Sequence, residues 1–75
     1  MKLYFKNSQG KKRCIANVKT EDRAIEFIRQ FCEERKCKIY YIRTWVVDNE
    51  KHFDVGSWSE HFVLKLEGNI DEQNE

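Results

Sequence analysis

Thr20-Glu21-Asp22-Arg23-Ala24-Ile25-Glu26-Phe27-Ile28-Arg29-Gln30-Phe31-Cys32 decides the fold class of this 75-residue chain. Ala24, Phe27, Ile28, Phe31 and Cys32 fall at i, i+3, i+4, i+7 and i+8, the spacing of one apolar helical face. Ile25 widens that stripe, and Arg23, Glu26, Arg29, Gln30 and Glu33 take the rest of the surface. Thr20 is placed to cap the first turn, where Glu21 and Asp22 suit the positive end of the helix dipole. Arg35 and Lys36 follow at the negative end. The spacing predicts one amphipathic helix over about residues 21–35.

The segments on either side read as strands. Leu3-Tyr4-Phe5 leads into the turn Asn7-Ser8-Gln9-Gly10, and Lys11 to Val18 returns from it, which predicts a β-hairpin. On the returning strand Cys14, Ala16 and Val18 alternate onto one side and are expected to face the core. After the helix, Lys38 to Val47 is dominated by β-branched and aromatic residues and reads as one long strand. Asp48-Asn49-Glu50-Lys51 is turn-like, and His52-Phe53-Asp54-Val55 alternates as a half-buried strand does. Gly56-Ser57-Trp58-Ser59 interrupts the pattern, which resumes from His61 to Leu66.

The order is therefore β-β-α-β-β(-β). Short links between strands mean hairpins and antiparallel pairs. We expect an α+β domain with an antiparallel sheet of four to five strands and one helix on a single face. Leu3, Phe5, Cys14, Ala16, Val18, Ala24, Phe27, Ile28, Phe31, Phe53, Val55, Phe62 and Leu64 are the expected core. Residues 1–66 form the domain, and residues 67–75 read as an acidic, disordered tail with one large apolar residue, Ile70.

Composition bounds the rest. Five Phe, three Tyr and two Trp supply the large side chains that so short a chain needs to build a core. No apolar run approaches the ~18 residues of a membrane span, and the N-terminus lacks a signal-like stretch. A cytoplasmic protein without membrane contact is expected. Three cysteines, Cys14, Cys32 and Cys37, read as free thiols in a reducing compartment. Four of the thirteen acids lie in the last nine residues, so residues 1–66 carry 14 bases against 9 acids.

Chemistry-bearing motifs are sparse. Cys32-x4-Cys37 and His52-x8-His61 lack the spacings of structural zinc modules, so neither a metal nor a cofactor is expected. Asp54, Ser57, Ser59 and His61 cluster around Gly56, but no nucleophile elbow or phosphate-binding glycine loop is present. The expectation is a binding module rather than an enzyme. On the Lys38–Val47 segment, placing Tyr40, Ile42 and Val46 under the helix leaves Tyr41, Arg43 and Trp45 on an open face. That composition belongs to a binding surface. The competing reading is a central strand covered by other side chains. The open face fits a protein partner or self-association. An alternative is a single-stranded nucleic acid, stacked on the aromatics and held by Lys11, Lys12 and Arg13.

Tyr40-Tyr41-Ile42-Arg43-Thr44-Trp45-Val46-Val47-Asp48 and Phe53-Asp54-Val55-Gly56-Ser57-Trp58-Ser59-Glu60-His61-Phe62-Val63-Leu64 share an Arg-x-Trp strand and an Asp-x-Gly-Ser hairpin with another group. In these motifs the chain resembles short, uncharacterised proteins of bacteriophages and prophages of Gram-positive bacteria. The resemblance covers about residues 40–66. It implies a small module acting on a host protein in the bacterial cytoplasm, with Trp58 joining Tyr41, Arg43 and Trp45 at the rim of the surface.

Overall fold

A computed structural model of the chain describes residues 1–57 and 59–66. Trp58 and the segment 67–75 read as a tail lie outside the described residues. Among the described residues five strands and one helix follow in the expected order: β1 (Lys2–Lys6), β2 (Lys12–Asn17), α1 (Glu21–Glu34), β3 (Arg43–Val47), β4 (Glu50–Asp54) and β5 (His61–Lys65). The strands form one antiparallel sheet in the spatial order β2-β1-β5-β4-β3. The last strand thus enters the middle of the sheet and joins the two hairpins.

Local chemistry explains the elements. In the first turn the Asn7 side-chain oxygen accepts from the Gln9 and Lys11 backbone N–H groups, and Gly10 takes φ 85°. Thr20 caps α1 by accepting from the Arg23 N–H at 3.1 Å. The helix ends at Arg35: Lys36 enters the left-handed region at φ 60°, and the Lys36 and Cys37 N–H groups donate to the Glu33 and Cys32 carbonyls. Asp48 and Asn49 both have positive φ, 50° and 66°, the signature of a two-residue type I′ hairpin loop between β3 and β4.

One face of the sheet packs on α1. Phe5, Phe62 and Phe53 lie abreast on neighbouring strands, as do Leu3 and Leu64, and all are buried. Ala24, Ile28 and Cys32 close over them from the helix, with Val55 beside them. Phe31 completes an aromatic triangle with Phe5 and Phe62, its ring centres 5.2 and 5.6 Å from theirs. Lys51, on the same face of β4, reaches Glu21 at the helix start with an N–O distance of 2.6 Å.

Three expectations are corrected. Cys14 is exposed rather than core. A bulge in β2 pairs Leu3 with Ala16 but Tyr4 with Cys14, so Ile15 is the extra residue and the alternation changes sides there. Ala16 and Val18 still pack against the core, while Cys14 turns to the other face. The strand expected over Lys38–Val47 forms only at Arg43–Val47, and it lies at the edge of the sheet rather than its centre. Finally, Ile42 does pack against the core, but Tyr40 and Val46 are 64% and 58% exposed, not covered by the helix. The outer strands of a five-stranded sheet stand about 19 Å apart, and one helix about 10 Å across cannot reach both.

Candidate functional site

The face away from the helix is built by alternation along each strand. From β3 it receives Arg43, Trp45 and Val47, from β4 Glu50, His52 and Asp54, and from β5 His61, Val63 and Lys65. Tyr4 and Lys6 of β1 and Lys12 and Cys14 of β2 complete it. The Lys12 ammonium stands 3.7 Å from Glu50, across the two intervening strands. A flat sheet would hold them apart, so the twisted sheet curls toward this face. Val63 is 1% exposed there, bracketed by Tyr4 and His52 in the register.

Polar groups on this face are paired in a chain. Arg43 bonds Asp54 at 2.9 Å, and the other Asp54 oxygen accepts from the Gly56 N–H at 2.9 Å. Asp54 is therefore held below the usual carboxylate range, first by the Gly56 N–H and then by Arg43, with His61 adding to both against the opposing effect of burial. His52 Nδ1 and His61 Nε2 lie 3.1 Å apart, one donating to the other. Burial, then the neighbouring His52 and Lys6, lower the His61 pKa below its ordinary value, with Asp54 opposing. The Trp45 ring stacks on His52 with centres 5.5 Å apart and planes within 3°. Glu50 collects Lys12, Lys65 and His52, each at 3.7 Å.

Beyond this network the β3 side of the sheet is apolar and open. Tyr40, Tyr41, Trp45, Val46 and Val47 are the exposed large hydrophobic residues among those described, and all lie within eight positions of one another. Every residue of β3 is exposed. The Tyr41 ring rests on Gly56, where an added Cβ would meet it at 3.0 Å. Gly56 also has φ 83°, so both space and backbone require glycine at this contact.

The residues singled out in the sequence are thus divided. Arg43 and Trp45 share the open face, and Tyr41 borders it beside Asp54, Gly56 and His61. Lys11, Lys12 and Arg13 lie at the opposite edge, where they join Arg35 of the helix end, Asn7, Ser8 and Glu60 around a cleft of about 500 Å³. Asp54, Ser57 and His61 line one open hollow with Tyr41 and Gly56, but their polar atoms are engaged elsewhere, which leaves no serine–histidine pair. Ser57 and Ser59 both donate to Glu60, while His61 faces His52.

Two features escaped the sequence reading. Glu60 is buried; burial alone would raise its pKa, but Ser57, Ser59, Cys37 and the Arg35 charge outweigh it and hold the carboxyl below its ordinary value. No sequence signal announced it. The His52–His61 contact follows from the β4–β5 register, and pairing the two strands around Gly56 would have found it. Among the described residues no helix is long and apolar enough to cross a membrane. No family model, curated protein or solved structure matches the chain.

Proposed function

We propose that this chain is a non-catalytic protein-binding module whose docking edge is β3. Its partner adds an extended strand there and packs against Tyr41, Arg43 and Trp45. The observation that carries the reading is the coincidence of two properties in one stretch: among the described residues no strand pairs with the outer edge of β3, and β3 with Tyr40 and Tyr41 just before it concentrates the exposed apolar surface. Strand addition draws affinity from main-chain hydrogen bonds and specificity from alternate side chains. An apolar cluster of this size on a small domain marks an interaction site. The nucleic-acid alternative draws less support, because Trp45 is stacked on His52 and Lys11, Lys12 and Arg13 belong to the far edge.

Site-specific photo-crosslinking tests the proposal. A photoreactive residue at Val46, on the β3 edge, is expected to capture protein in cell lysate, with or without nuclease and at two salt concentrations. The same group at Asn17, on β2, is expected to capture none. Equal capture at both positions, or nuclease-sensitive capture that collapses with salt, rejects the β3 edge as a protein-docking site.

A further inference from the structure

Resting on that reading of β3, we infer that the occupant of its edge is the β3 of a second copy of this chain, antiparallel about a two-fold axis at Trp45. The two sheet edges are treated differently by the sequence. The β2 edge carries Lys12, Arg13 and the bulge at Ile15, all devices that discourage further pairing. The β3 edge, Arg43-Thr44-Trp45-Val46-Val47, has no lysine, proline or bulge. Its single charge, Arg43, is already bonded to Asp54 of its own hairpin.

The hydrogen-bond phase of β3 selects the register. A two-residue loop closes on a hydrogen-bonded pair, here Val47 with Glu50, and such pairs alternate along an antiparallel ladder. Val47, Trp45 and Arg43 therefore spend their backbone groups on β4. The Leu66 N–H bond to the Asn49 carbonyl agrees, since it places the odd positions of this hairpin arm toward β5 and the even ones toward β3. Thr44 and Val46 are left with N–H and C=O groups pointing off the edge.

Two copies meeting antiparallel with Thr44 opposite Val46 and Val46 opposite Thr44 exchange four N–H···O bonds. Trp45 then faces its counterpart as a non-hydrogen-bonded pair, in which side chains approach most closely. Arg43 falls opposite Val47, so no like charges meet. A register centred on Val46 would use Asp48, which has positive φ, and one centred on Thr44 would use Ile42, outside the strand. The self-pairing is complementary only about Trp45.

Area supports the same occupant. Trp45, Val46 and Val47 in the paired strand, with Tyr40 and Tyr41 just before it, leave roughly 500–600 Å² open per copy, so two copies cover at most about 1,000–1,200 Å², the size of a weak, concentration-dependent interface. The product is a ten-stranded sheet with both helices on one face. Its opposite face is continuous, with the Trp45 pair flanked by the two His52–His61 pairs.

Sedimentation of the full chain from low micromolar to submillimolar concentration tests this. The wild type is expected to pass from monomer to dimer. Val46→Pro removes an N–H that β4 does not use, so the monomer keeps its circular-dichroism melt while dimerisation weakens about ten- to hundredfold, two bonds being lost per dimer. Val46→Lys, which charges the edge, is expected to weaken it as well. In a Cys14→Ser background, Trp45→Cys is expected to form an intermolecular disulfide under mild oxidation and Val47→Cys is not, because only position 45 meets itself. A wild type that stays monomeric, or crosslinking at 47 equal to that at 45, overturns the inference. If the wild type is monomeric yet Val46 crosslinks a different protein, only the identity of the partner fails. If Val46 crosslinks no protein at all, the docking reading fails too.

Discussion

Replacing Trp45 with alanine separates a surface tryptophan from a core one. Trp45 is 39% exposed, so roughly 150 Å² of the ~250 Å² that a tryptophan can bury is covered, with His52, His61 and Arg43 around its ring. At about 25 cal/mol per Å² that burial is worth at most about 4 kcal/mol. Alanine retains part of it and the unfolded chain already covers some, which brings the expected loss to about 2 kcal/mol. A 75-residue domain has a total stability of about 4–11 kcal/mol, so the variant remains folded. Phe62→Ala provides the scale: Phe62 is fully buried against Phe5 and Phe31, and its truncation should cost about 3–5 kcal/mol. Urea titrations followed by far-ultraviolet circular dichroism measure both. Finding Trp45→Ala as damaging as Phe62→Ala, or unfolded in water, would refute the placement of Trp45 on the open face.

Three further outcomes are expected. His61 has a depressed pKa in the fold, so it stays neutral there while the unfolded chain takes a proton near pH 6.5; the stability it contributes is present above that pH and lost as pH falls. Thermal melts between pH 7 and 5.5 should therefore show a larger loss for the wild type than for His61→Gln, and equal losses would remove His61 as the cause. Lys36→Gly relieves a non-glycine residue at φ 60° in the helix stop and should raise stability by about 0.5–1 kcal/mol, read as a higher melting temperature. Thiol titration at pH 8 should show one fast-reacting group, Cys14, which is exposed. Burial, followed by Cys37 and Glu60, pushes the Cys32 thiol up to about 11, and burial with Glu60 also raises Cys37. Cys14→Ser should abolish the fast phase.

The candidate surface was only partly legible. Arg43 and Trp45 were placed together by simple alternation, which holds because consecutive side chains on a strand point to opposite faces. That rule failed in β2, where one extra residue at Ile15 reversed the sides and sent Cys14 outward. It also could not bring Arg35 to Lys11, Lys12 and Arg13, or His52 to His61, since those meetings depend on which strands and helix ends become neighbours.

The amino-acid sequence determined the elements whose causes are local. The helix follows from the apolar repeat Ala24-Phe27-Ile28-Phe31-Cys32 and the Thr20 cap, and the hairpins follow from Gly10 and Asp48-Asn49. Tertiary structure alone decided rank within the sheet. Thr44-Trp45-Val46-Val47 and Phe62-Val63-Leu64 are both unbroken apolar or β-branched runs, the composition of a strand buried on both faces. Yet β5 is central, with Phe62, Val63 and Leu64 all buried, and β3 lies exposed at the edge. Propensity measures how well a residue suits a strand. It does not measure what lies beside that strand, and here the neighbours were set by β5 pairing with β1 across more than fifty residues of chain. That one non-local pairing filled the centre of the sheet and left β3 as the open edge.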